Sequence, residues 1–188
     1  LLAGSLLSED GLSLIYYRAL FENASQSLFF VEPIAALRNS VGFACLAMLV
    51  ALVLGFCAAL FLESRQNRSA SWWDGVMMLP LATSAVTLGF GYIITLNKPP
   101  LNLRDSGALI VIAHTLVAFP FVVRCILPGL RLIPQRLREA AAMCGASPFF
   151  TWLHVDLPLL RRSLAVAAIF GFVISMGEFG ASAFIVRP

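Results

Sequence analysis

Four stretches of this chain run for the thickness of a bilayer almost without charge. Val41–Leu62 and Gly75–Leu96 carry none over 22 residues each, Ser106–Val123 none over 18, and Ser163–Val186 only Glu178 over 24. A hydrocarbon core about 30 Å thick is crossed by roughly 20 helical residues, and in lipid the backbone must bond to itself. A transmembrane barrel alternates polar and apolar residues in strands of about 10; these runs do not. The chain is 60% hydrophobic and 12% charged, where soluble domains average about 25% charged. The expected fold is all-α, a polytopic transmembrane bundle of about four full helices.

Polar breaks divide the runs. Residues 1–39 are too mixed to span and read as an extracytoplasmic loop with a short amphipathic helix; Leu1–Leu7 resembles the tail of a preceding membrane helix. The chain is therefore expected to be a fragment, or one half of a larger protein. Residues 40–188 form the membrane domain. Asn39 or Ser40 suits the N-cap of its first helix, and Trp72 and Trp73 suit the headgroup level. Pro80 should kink the second helix, and Pro128-Gly129 should end the third.

The longest interruption, Arg131–Arg162, has an internal plan. Pro134 suits a helix start and Gln135–Cys144 is rich in helix formers. Gly145 is placed as a stop, and Ser147-Pro148 as a new N-cap with Pro at the first helical position. A second helix then runs to about Leu157-Pro158, making a hairpin outside the lipid. Placing it in the cytoplasm puts Arg65, Arg68, Arg131, Arg136, Arg138, Arg161 and Arg162 on that side, against Arg18, Arg38, Lys98, Arg104 and Arg187 on the other. The excess has the sign of the positive-inside rule. It also explains the net charge of +3 without nucleic acid as a partner.

Catalytic chemistry is not advertised. The single lysine, Lys98, lies in Asn97-Lys98-Pro99, and no G-x-x-x-x-G-K-[ST] loop is present to hold nucleotide phosphates. His114 and His154 are 40 residues apart, and Cys45, Cys57, Cys125 and Cys144 have no metal-ligand spacing. The cysteines read as small packed hydrophobes. No enzyme activity, metal or cofactor is expected of the chain itself. Glu178 and His114 are different: an ionisable group at membrane depth is costly and by default functional. At 1.5 Å per residue, Glu178 lies roughly 22 Å from the inner boundary and His114 roughly 12 Å from the outer one. Both are candidates for the border of a translocation path.

The most specific pattern lies in the hairpin: Glu139-Ala140-Ala141, three residues, Gly145, nine residues, then Val155-Asp156-Leu157-Pro158. The stretch resembles the cytoplasmic "EAA" loop of MetI-like inner-membrane permeases of binding-protein-dependent (type I) ABC importers, over about Asn39–Pro188. Phe119-Pro120, Ile133-Pro134 and Gly177-Glu178-Phe179-Gly180-Ala181 look most like the ferric-iron and thiamine branch. The resemblance implies a permease subunit of the inner membrane that forms the translocation path. Its hairpin would dock in a cytoplasmic P-loop ATPase, through Glu139, Ala140, Ala141, Gly145, Phe149, Phe150, Trp152, Val155, Leu157 and Pro158. ATP would be bound by that partner, substrate would come from an extracytoplasmic solute-binding protein, and a second permease half or copy would complete the pore. An ion-coupled secondary transporter, which also uses kinked helices and midplane polar groups, is the alternative; it has no need of the hairpin's spacing.

Overall fold

Small residues recur on one face of the first apolar run at helical spacing, Ala44, Ala47, Ala51, Gly55, Ala58 and Ala59, and Leu62 ends the stripe. In the computed structural model, which describes residues 7–8, 11–12, 33–65, 68–96 and 107–178, this face is buried while Leu46, Leu49, Val50, Val53 and Leu54 point outward. Small side chains inside and large apolar ones outside suit helices that associate in lipid, where packing rather than water drives contact.

The chain divides into two units, Leu1–Gly42 and Phe43–Pro188. In the first, strands β1 (Leu7–Ser8) and β2 (Gly11–Leu12) pair antiparallel, Leu7 opposite Leu12. The rest of the amphipathic-helix expectation for residues 1–39 falls on residues outside those described, apart from the start of the first helix. The second unit is helical: α1 (Pro33–Ser64), from Phe43 on, α2 (Arg68–Met77), α3 (Leu79–Ala82), α4 (Ala85–Leu96), α5 (Gly107–Arg131), α6 (Gln135–Met143), α7 (Pro148–Thr151), a π-helical turn (Trp152–Asp156) and α8 (Leu157–Gly177).

Its core joins α1, α5 and α8. Ala118, Val122, Val123, Ile126, Leu127 and Leu130 of α5 pack with the α1 stripe and with Leu160 and Ala167 of α8. Val122 is the central knob. A Cβ on Gly55 would lie 2.6 Å from its Cγ1, and one on Gly171 would lie 3.5 Å from its Cγ2. Glycine at position 55 is what admits the branched side chain; at Gly171 a methyl would make an ordinary contact.

Three departures from the sequence reading have physical causes. Among the described residues three helices, not four, are long and apolar enough to span: Ile34–Ser64, Gly107–Arg131 and Pro148–Gly177. The expected second span is broken, because Pro80 offers no N–H and Thr83 turns extended (φ −102°, ψ 146°), its Oγ1 donating to the Pro80 carbonyl at 3.0 Å. A side-chain donor of this kind compensates a broken membrane helix. Conversely, Pro128-Gly129 does not end α5, which runs to Arg131; a proline removes one donor, and the next turn closes through Leu132 N–H to Pro128 O at 3.1 Å. Nor does a helix end at Leu157-Pro158. The π turn (Trp152–Asp156) leads straight into α8, so Pro148–Gly177 is continuous. A π turn bonds one residue further back than an α turn, which accommodates the missing Pro158 N–H.

Candidate functional site

The hairpin is built by its caps. Gly145 has φ +81°, a conformation that side-chain-bearing residues disfavour. It lets Gly145 N–H bond Ala142 O at 2.9 Å and Ala146 N–H bond Ala141 O at 3.0 Å, the paired bonds of a Schellman stop. Two residues later Ser147 accepts the Phe150 N–H at 3.3 Å, with Pro148 in the first turn. The chain reverses over Cys144–Ser147 with its end groups satisfied.

On α6, Glu139, Ala140, Ala142 and Met143 are exposed, while Arg138 and Ala141 are half-buried. Beyond the turn Phe149 is 70% and Phe150 53% exposed, and Met143 is 90% exposed. Gly145 and Pro158 are exposed; Val155 and Leu157 are half-buried. Trp152 faces the bundle instead. It stacks on Phe149 (centroids 6.2 Å) and meets Phe56 of α1 edge-on at 6.2 Å. The ten predicted residues thus divide into an outward tip (Glu139, Ala140, Gly145, Phe149, Phe150, Pro158) and an inward side (Ala141, Trp152, Val155, Leu157). Phe150 is held by stacking on His154 at 3.9 Å, whose Nδ1 lies 3.1 Å from the Phe150 carbonyl.

Charged residues absent from the sequence-based site hold the hairpin's base. Arg138 Nε donates to Asp156 Oδ1 at 3.0 Å, and its Nη1 lies 3.6 Å from Glu63 Oε1 at the end of α1. Asp156 is buried in the π turn. Pairing across 18 residues carries no local spacing signal. Elsewhere Arg124 of α5 binds Asp74 of α2 at 2.9 Å, and Arg65 covers the Phe61 ring at 4.8 Å.

At the other end of the bundle, His114 of α5 is buried with its Nδ1 2.8 Å from Ser175 Oγ of α8. Glu178 follows one turn later, where α8 ends at Gly177 and the backbone turns to φ −79°, ψ 91°. The expected span to Val186 therefore stops at Gly177 in helical form, at a glycine of low helix propensity; residues 179–188 lie outside those described. Tyr92 of α4 packs against Leu109 and Ala113, the latter next to His114 in α5. Tyr92 Oη is buried without a hydrogen-bond partner among the described residues. His114 thus meets Ser175, three residues before Glu178, with Tyr92 packed beside the same turn of α5. Among the described residues no group of three or more His, Cys, Asp or Glu is placed to hold a metal. Cys57 and Cys144 are exposed rather than buried.

Comparison with known proteins gives one family. Residues 45–187 match the family described as "Binding-protein-dependent transport system inner membrane component". The chain is 32% identical over 153 residues to a 2-aminoethylphosphonate transport system permease protein of Salmonella typhimurium, covering 76% of this chain and 58% of that one. It is 30% identical over 160 residues to a molybdenum transport system permease protein of Azotobacter vinelandii, covering 79% and 71%. To a sulfate transport system permease protein of Anthoceros angustus it is 30% identical over 161 residues, covering 79% and 56%. The chain spans little more than half the length of the phosphonate and sulfate relatives.

Proposed function

The chain belongs to the family of binding-protein-dependent transport system inner membrane components, the MetI-like permeases of ABC importers, and from that premise we propose that it forms the translocation path and is driven by a separate ATPase through the Glu139–Pro158 hairpin. Family membership makes it a multi-pass inner-membrane protein and a transport component; it leaves no place for the secondary-transporter alternative. The observation that carries the coupling reading is the hairpin tip. Phe149, Phe150 and Met143 stand exposed on a doubly capped turn. Exposed aromatic anchors on a rigid element suit burial in a protein partner. ATP belongs to that partner, a P-loop ATPase; an extracytoplasmic binding protein delivers cargo; a second permease half or copy completes the pore.

The relatives' names support an oxyanion cargo in place of the ferric iron or thiamine suggested by the flanking motifs: a phosphonate, a sulfate, and molybdenum, which water holds as a tetrahedral oxyanion. His114 and Glu178 border the path in this reading. The Thr83–Ser84 break supports its position, because irregular backbone at membrane depth is tolerated only against protein or water.

The test is co-expression with the ATPase and purification of the membrane complex. Phe149→Ser with Phe150→Ser is expected to leave membrane insertion unchanged and to reduce co-purified ATPase tenfold or more. An undiminished complex removes the docking assignment. Ligand identification on the binding protein decides the cargo, and iron or thiamine there overturns the oxyanion reading.

A further inference from the structure

No residue of α6 is buried, so this helix has no hydrophobic core of its own to fix it against the bundle. Seven of its nine residues are exposed; only Arg138 and Ala141 are half-buried and face inward. What Arg138 touches therefore decides how α6 is attached. Its guanidinium reaches Asp156 at 3.0 Å in the π turn that opens α8, and Glu63 at 3.6 Å in the last turn of α1.

These three groups are not an ordinary surface ion pair. The Asp156 side chain is 10% accessible and those of Arg138 and Glu63 about a quarter. A carboxylate so enclosed is unfavourable without a charge-assisted partner. The planar fork of arginine presents several donors in fixed directions, so one side chain can address two carboxylates; a lysine ammonium on a flexible stem does not hold two partners in this geometry. The two carboxylates belong to different long helices, and both helices belong to the three-helix core. Arg138 is also the residue immediately before Glu139, at the root of the exposed tip.

We propose that Arg138 is the positioning residue of the coupling step: its fork to Asp156 and Glu63 makes α6, α8 and α1 move as one body, so that displacement of the hairpin tip becomes displacement of two membrane helices. The inference rests on the reading of the hairpin as the ATPase-docking element. It adds that docking and transmission are separable, the first residing in the exposed tip and the second in the Arg138 fork.

The experiment uses the complete transporter, with its ATPase and binding protein, reconstituted in liposomes. Three quantities are measured: ATPase retained, ATP hydrolysed and substrate transported. For Arg138→Gln the ATPase stays bound and hydrolysis stays within about twofold, while ATP consumed per substrate rises tenfold or more. Arg138→Lys, which keeps one charged contact, recovers at least a third of the transport lost. Arg138→Gln with Asp156→Asn is no worse than Arg138→Gln alone, as expected for two residues acting through one contact. A wild-type ATP-to-substrate ratio in Arg138→Gln overturns the inference. If that variant does not reach the membrane, Asp156→Asn removes the same charge pair with its shape retained, and the same ratio decides. If the unmodified permease holds no ATPase, the docking reading itself falls, and this inference with it.

Discussion

Gly55→Ala adds one methyl group at the tightest contact of the bundle, and its cost follows from the geometry. The new Cβ would lie 2.6 Å from Val122 Cγ1, 3.2 Å from Val122 Cβ and 3.6 Å from the Val123 backbone nitrogen. The first distance falls 0.8 Å short of the 3.4 Å at which ordinary contact begins. Val122 cannot simply retreat. It is fully buried, its other methyl faces Gly171 of α8, and a β-branched side chain in a helix has one strongly preferred rotamer. The strain must be relieved by separating α1 from α5. Overpacking of this kind costs about 1–3 kcal/mol. The assay is unfolding in detergent micelles of Gly55→Ala, Val122→Ala and the double variant. Each single variant is expected to lose stability, the second through lost packing. The double variant should recover about 1 kcal/mol or more relative to the sum of the two, because contacting sites are non-additive. Additive losses, or a Gly55→Ala protein within about 0.5 kcal/mol of the original, would refute the claim that Gly55 sets this helix spacing.

Three further outcomes follow from single contacts. Gly145→Ala meets no atom within 4 Å but must hold φ +81°, so it should cost about 1–2 kcal/mol of backbone strain, read as increased proteolysis at the hairpin and weaker ATPase retention; Gly145→Asn should lose less. Glu178→Gln should abolish coupled transport with normal assembly and ATPase binding, and unchanged transport in that variant removes Glu178 from the path. His114→Ala strands the buried Ser175 hydroxyl and should destabilise the bundle by about 1–3 kcal/mol in the same micelle assay, whereas removing both groups as His114→Ala with Ser175→Ala should cost less than the sum.

What could be read from the sequence was local. Uncharged length marked three long helices and misled at Gly75–Leu96, which is broken at Thr83. Gly145 and Ser147-Pro148 marked the hairpin because their cap bonds span only a few residues. The α1 stripe was also there to be read, at spacings of three and four from Ala44 to Leu62. Prolines were harder, because one residue type had three outcomes. Pro80 lies beside a real break, Pro128 is passed over by α5, and Pro158 sits beyond a π turn. What separates them is how the neighbouring carbonyls find donors, which depends on the Thr83 rotamer and on turn geometry rather than on proline itself. The Arg138–Asp156–Glu63 cluster and the His114–Ser175 bond join residues far apart in sequence, so no periodicity announces them.

The continuity of Pro148–Gly177 changes what the hairpin can do. A second arm ending at Leu157-Pro158 would meet the membrane helix through a joint, and a push at the tip would be absorbed as bending there. The structure has a helical turn in that place, and it is anchored twice on α1: Trp152 meets Phe56, and the Arg138 guanidinium joins Asp156 to Glu63. These two contacts, rather than the helical backbone alone, brace a π turn and a proline that would otherwise be places to bend, so force applied at Phe149 and Phe150 is passed to α8 and α1 through them. If the tip is gripped by an ATPase, the give in the system must lie elsewhere in the membrane. The sites without helical hydrogen bonds are the places for it: the extended Thr83 between α3 and α4, and the end of α8 at Gly177 beside Glu178. Both border the elements that carry the polar residues at membrane depth. On the coupling reading, a stiff cytoplasmic lever and compliant helix ends near the path are two halves of one arrangement.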